Sequence, residues 1–248
     1  MGYKVFKTGL LHLDRMLGGG IIEDGTLLIV YYTGSYGWAL GVEIFKSFLS
    51  RGWYGIVTNY SLPYGLLRKY AMAVRFALQT LGREERLAVI DVFGSVNGIQ
   101  PREPFVYSIG QVDGSTFLPK ILAIYKKIIE NKPRRIGITV TVDGFVEIFG
   151  EDMGMRILRR NMALKENFPR SDNEEILNVF LINRDRVSPR FLSWLSQYAE
   201  HIIEFKPTGK PGIETFSVVK SLLPDFEPST GIFKFKKGMV EILPTLRD

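Results

Sequence analysis

Residues 25–50 read "GTLLIVYYTGSYGWALGVEIFKSFLS". The opening run, 26–30, is apolar without alternation, the pattern of a strand buried on both faces. From residue 38 onward the apolar positions recur at helical spacing. Between the two lies "YYTGSYGW" (31–38), with Gly34 and Gly37 in it. A strand, a glycine-bearing loop and a helix form the arrangement in which amides at a helix N-terminus receive a phosphate. A loop doing that work ends in Gly-Lys-Ser/Thr, because an ammonium must meet phosphate and a hydroxyl must meet magnesium. Here Gly37 and Trp38 occupy those places. The stretch predicts strand–loop–helix and puts its phosphate chemistry in question.

The same alternation continues on both sides. Strand-like "YGIVTNY" (54–60) precedes helix-like "LPYGLLRKYAMAVRFALQT" (62–80). Strand-like 86–93 precedes a helix over 116–131, 134–142 precedes a helix near 151–166, and 175–183 precedes a helix over 188–200. The tail differs: "HIIEFKP", "IETFSVVKS", "IFKFKKG" and "MVEILP" are short strands with Gly/Pro turns, which reads as an antiparallel β-meander. Alternating β and α with buried strands predicts an α/β three-layer sandwich, a mainly parallel sheet covered by helices on both faces. No linker splits the chain, so 1–248 is expected to form one domain, with "KENFPRSDNEE" (165–175) as a mobile surface loop. In an open sheet of this kind ligands bind at the strands' carboxyl ends, so the loops after 30, 59, 91 and 142 form the functional edge.

Composition narrows the chemistry. There is no cysteine, which excludes disulfides, thiolate metal sites and cysteine nucleophiles. The two histidines, His12 and His201, have no metal-ligand spacing, so no metal site is expected. No window approaches about 18 uninterrupted apolar residues, so the expectation is a soluble cytoplasmic protein without membrane attachment. The balance of 32 basic and 26 acidic residues gives +6, with basic clusters at 125–135, 156–165 and 233–238. That charge permits binding to nucleic acid, acidic proteins or a membrane surface without demanding any of them, and solvated helix or strand faces are the favoured reading of such clusters.

The segment "TGLLHLDRMLGGGIIEDGTLLIV" (8–30) resembles the opening of RecA-fold ATPases of the KaiC/RadA type. Thr8, Gly9, Leu13, Asp14, Leu17, Gly18, Gly19, Gly20 and Ile21 match that pattern in order, as do Gly25, Thr26, Leu28 and Ile29. The closing strands resemble the same family's β-meander, whereas the middle agrees in element order alone. The resemblance implies a RecA-like fold, an ATP site at the 31–39 loop, and assembly with copies of itself or with a related ATPase.

Carried onward without a gap, the alignment sets the family's Gly-Pro-Pro-Gly-Thr-Gly-Lys-Thr-Thr against Tyr31-Tyr32-Thr33-Gly34-Ser35-Tyr36-Gly37-Trp38-Ala39. Gly34 is kept and Ser35 is a mild change, but Gly37 replaces the phosphate-binding lysine and Trp38 the magnesium-binding hydroxyl. Ser61 and Leu62 fall where the catalytic glutamate is expected. Thr139 falls at the magnesium aspartate, with Asp143 as a weak substitute. Of the Lys-x-Arg finger pair, Lys220 remains and Leu222 replaces the arginine. Phosphoryl transfer rests on positioning and charge neutralisation. The expectation is therefore a RecA-like pseudo-ATPase with no catalytic residues and no cofactor. Gly34, Ser35, Gly37 and Trp38 would be the remnant of its phosphate loop, and Lys220 that of its finger.

The aromatics of the loop admit two readings. Trp38 packs on Tyr31, Tyr32 or Tyr36 and fills the vacated space, or the four line a surface for a protein or peptide partner. The functional expectation is a protein- or peptide-binding scaffold or regulatory module. The alternatives are a nucleic-acid-binding protein, or one with residual nucleotide binding and no efficient hydrolysis. Asp91 ends a strand on the functional edge and reads as structural, and His12 as a helix-start residue.

Overall fold

The computed structural model describes residues 3–167 and 173–244, and for Lys165 the backbone alone. A small hairpin comes first, in which β1 (Val5–Phe6) pairs antiparallel with β2 (Ile21–Ile22) around helix α1 (Leu11–Met16). The main strands follow: β3 (Thr26–Tyr31), β4 (Tyr54–Asn59), β5 (Leu87–Asp91), β6 (Val106–Tyr107), β7 (Arg134–Val140) and β8 (Glu175–Asn183). After them come β9 (His201–Pro207), β10 (Ile213–Ser221), β11 (Ser229–Lys236) and β12 (Met239–Pro244). Among the described residues they form one ten-stranded sheet in the order β12-β11-β10-β9-β3-β8-β7-β4-β5-β6.

The centre of this sheet is parallel. β3 lies between β8 and β9, in register Leu27↔Val179 and Leu27↔His201. Its side chains alternate between two cores: Leu27, Ile29 and Tyr31 face one, Leu28 and Val30 the other. The first core is covered by α1, α2 (Gly37–Ser50), α3 (Tyr64–Ala73) and α4 (Leu78–Arg83). The second is covered by α5 (Val92–Val96), α6 (Phe117–Ile129), α7 (Val142–Phe149), α8 (Glu151–Asn167) and α9 (Pro189–Gln197). This is the expected mainly parallel three-layer arrangement, with β10–β12 as its antiparallel extension.

Two expectations need correction. The helix read over 62–80 is two helices, because Arg75 takes φ +53° after α3. Phe76 N–H bonds Ala71 O at 2.8 Å and Arg75 N–H bonds Met72 O, a Schellman end that turns Phe76 inward against Phe45. The strand β9 joins the two parts of the sheet: it pairs antiparallel with β10 as the first strand of the meander and, after the α9 crossover, runs parallel to β3 on its other side. The strand read to 142 ends at Val140, and α7 occupies the segment before Gly150. Of the loop expected over 165–175, residues 168–172 lie outside the described residues, while α8 reaches Asn167 and β8 begins at Glu175.

Candidate functional site

The loop between β3 and α2 lies at the carboxyl edge of the sheet, where the strand order predicts a ligand. Gly34 makes its turn at φ +89°, and no atom lies within 4 Å of where a Cβ would be. The loop's polar groups are already engaged. The Ser35 hydroxyl donates to Glu214 Oε2 at 2.5 Å, and Tyr36 N–H donates to Glu214 Oε1 at 2.7 Å. Gly37 N–H donates to Ser35 Oγ at 2.9 Å, and Thr33 N–H to Asp185 Oδ2 at 2.7 Å. Burial, then the charge and hydrogen bond of Glu214, push the Tyr32 phenol up to about 12.

Two carboxylates from distant parts of the chain, Glu214 on β10 and Asp185 after β8, therefore sit on the amides of this loop. Helix α2 has no acidic residue in its first turn, and Tyr36 ahead of it makes no side-chain cap. Glu214, buried on β10, supplies the negative charge that this positive helix end favours. In sequence the signal was its parity: Glu214 shares a strand face with Phe216 and Val218, both fully buried. A carboxylate at a core-facing strand position needs donors, and here the loop provides them. Asp185, in a single 3-10 turn after β8, carried no comparable signal.

Gly37 and Trp38, the positions where the resemblance sets lysine and hydroxyl, are packed against other elements. A Cβ on Gly37 would stand 2.8 Å from the Phe205 ring and 3.0 Å from Tyr31 Cβ, so the backbone there is packed against side chains on β9 and β3. Trp38 is half-buried, and its ring partners are not the tyrosines of its own loop. It meets Tyr70 on α3 edge-to-face at 5.2 Å and Phe235 on β11 at 6.4 Å. Tyr36 stacks on Phe235 at 4.5 Å. Beside these rings a cleft of about 540 Å³ remains, lined by Tyr31, Tyr32, Tyr36, Trp38, Tyr70 and Phe235 among others. The aromatics wall the space and leave a cleft between them. The Tyr31 phenol is pushed well above its ordinary value by burial, with Asp143 adding to the effect.

The remaining expected positions separate. Ser61 lines the cleft and bonds Thr141, Oγ to Oγ1 at 2.7 Å. Along β7 it is Ile138 and Val140 that face this cleft, whereas Gly137 and Thr139 face a second cavity between α6 and α8. Thr139 thus points away from the site, and neither 139 nor 140 offers a carboxylate. Asp143 is buried, accepts Asn183 N–H at 3.0 Å and pairs with Arg186 at 2.9 Å; Arg186 also holds Glu147. Asp91 caps α5 through Gly94 N–H and accepts from Asn59 Nδ2 at 2.8 Å. Burial raises its carboxyl against those two bonds. Lys220 donates to Ser196 O at 3.0 Å and Gln197 O at 3.3 Å, at the negative end of α9. His12 lies on α1, and His201 is buried under the hairpin, where Nε2 accepts Ile22 N–H at 2.9 Å.

Among the described residues no group of three or more His, Asp or Glu side chains is placed to hold a metal ion. No described helix is long and apolar enough to cross a membrane. Several of the clustered basic residues serve inside the molecule. Arg135 is buried and paired with Glu174, Arg134 lies over Trp53, Lys127 over Tyr107, and Arg159 over Trp194.

The sequence matches no protein-family model and no curated protein. Solved structures do resemble it. An uncharacterized protein, PH0321 of Pyrococcus horikoshii, crystallised with an unknown peptide, has a TM-score of 0.77 at 18% identity over 96% of this chain and 98% of that one. The KaiC-like protein PH0186 of the same organism has a TM-score of 0.73 at 15% identity over 98% and 100%. The flagellar accessory protein FlaH of Methanocaldococcus jannaschii has a TM-score of 0.67 at 15% identity over 96% and 99%. At these identities the likeness is one of fold. The chain has the RecA/KaiC-like α/β fold.

Proposed function

We propose that this chain is a RecA/KaiC-like protein without ATPase activity, whose former nucleotide cleft serves a protein or peptide partner. The observation that carries the reading is Glu214. Its buried carboxylate takes the Ser35 hydroxyl and the Tyr36 amide, where the resemblance would set a phosphate. Two like unit charges about 4 Å apart repel by about 4 kcal/mol at the effective dielectric of a protein surface. With glycine at 37, no lysine on this loop offsets that repulsion. Without the hydroxyl at 38 and a carboxylate at 61, the magnesium and the attacking water also lose their anchors. The aromatic walls suit side chains instead, since buried aromatic rings dominate interface energetics. The peptide found with the similarly folded PH0321 accords with this use of the fold. Assembly with further copies or with an active relative remains part of the proposal.

The test is release of inorganic phosphate from ATP with magnesium under multiple-turnover conditions. The expected rate equals that of buffer alone. Saturable turnover that co-purifies with the chain and is lost in Ser35→Ala would overturn the reading.

A further inference from the structure

Resting on the reading of the cleft as a partner site, we infer that the cleft takes a cationic group, a lysine or arginine side chain of the partner, and so has exchanged anion binding for cation binding. Two independent features of the site agree. The first is the rings. Tyr36 and Tyr70 stand at the mouth, 40% and 42% exposed, with the half-buried Trp38 and Phe235 between them. The negative faces of such rings attract an ammonium or guanidinium within about 6 Å. Elsewhere this chain fills ring faces with its own cations: Arg51 over Phe48, Lys132 over Tyr54, Arg134 over Trp53. Among the described residues, no cation lies over the rings of this cleft.

The second feature is charge. Arg186 is the one charged residue among the described side chains lining the cleft, and it is held by Asp143 and Glu147. Around it stand Glu214 beneath the loop and the exposed Asp185 on Thr33 N–H, both uncompensated by a lysine or arginine of the loop. Lys234 and Lys236 flank Phe235 but point to the opposite face of β11 by strand alternation. A low-dielectric pocket with aromatic walls, backed by carboxylates that outnumber Arg186, favours a cation over a neutral side chain and disfavours an anion.

The experiment uses the full chain carrying Trp53→Phe and Trp194→Phe, so that Trp38 is the sole indole and reports from the cleft wall. Acetylated, amidated peptides of one apolar sequence are titrated with lysine, arginine, glutamine or glutamate at the centre. Tetramethylammonium chloride competes against sodium chloride at equal ionic strength. The lysine and arginine peptides should change Trp38 emission with affinities about tenfold or more above the glutamine peptide. The glutamate peptide should be weakest, tetramethylammonium should compete, and Tyr36→Leu should remove most of the difference. Equal affinities for all four peptides would overturn the cationic preference and leave the partner cleft standing. Preference for glutamate would likewise overturn only the cationic preference, whereas displacement of every peptide by micromolar ATP with magnesium would overturn both. No response of Trp38 to any peptide at millimolar concentration would also defeat the inference.

Discussion

Glu214→Ala lowers the unfolding free energy by about 3 kcal/mol, measured by urea denaturation. Hydrogen bonds to a charged partner contribute about 1.5–3 kcal/mol each, and removing one partner leaves the other buried group with its desolvation cost. Glu214 is 3% exposed and takes two donors, the Ser35 hydroxyl and the Tyr36 amide, with the Tyr32 phenol beside them. Alanine strands all of them around a void at the start of α2. Glu214→Gln keeps one oxygen acceptor and the shape, and should cost about 1 kcal/mol. In the alanine variant the amide of Tyr36 should also exchange with solvent faster. A loss below about 0.5 kcal/mol would mean that the loop holds its form without this carboxylate.

Acid removes stability through His201. The imidazole is fully buried, with Nε2 accepting from Ile22 N–H and Nδ1 3.0 Å from Ser221 Oγ, so the neutral ring fits the site. Ser221 Oγ donates to Leu17 O, which leaves Nδ1 to carry the proton toward Ser221. Burial, with Lys220 nearby, lowers the imidazole from 6.5 to about 4. The unfolded chain therefore binds the proton first, and stability is complete above pH 6.5 and falls as pH drops towards 4. A displacement of this size corresponds to about 3 kcal/mol. Urea unfolding at pH 7 and pH 4 should show that loss in the native chain, and His201→Gln should flatten the pH dependence while lowering stability at pH 7. An unchanged slope in the variant would assign the acid sensitivity elsewhere.

The N-terminal pattern was legible in sequence because its residues hold the fold and do so without a nucleotide. Thr8 N–H and hydroxyl both bond Asp14 Oδ1, at 2.6 and 2.7 Å, which closes the segment before α1. Gly20, at φ +148°, would bring a Cβ to within 2.4 Å of Phe6 O, and Gly18 would bring one to 2.9 Å from Phe226 N. The first two of these needs are met between residues 6 and 20, whatever the loop at 31–38 binds, which is why they could be read locally. The strand and helix alternation was readable for the same local reason. Glu214, Asp185, Tyr70 and Phe235 were not singled out, because what they do depends on partners far away in the chain. Glu214 meets Ser35 across 179 positions, a pairing that strand parity hints at and only tertiary structure makes. Trp38 likewise finds its ring partners in Tyr70 and Phe235 rather than in its loop neighbours, and Thr139 faces the second cavity. Nearness in sequence, or an ungapped register, does not set the direction of a side chain.

The central claim is that internal carboxylates have taken the place of phosphate at this loop. Isothermal titration calorimetry of the full chain with ATP and magnesium tests it most directly, because binding requires those donors whether or not hydrolysis follows. The account predicts no saturable heat up to millimolar ATP, with Glu214→Gln still failing to bind because Gly37 and Trp38 supply neither lysine nor hydroxyl. A dissociation constant near micromolar for the native chain would contradict it.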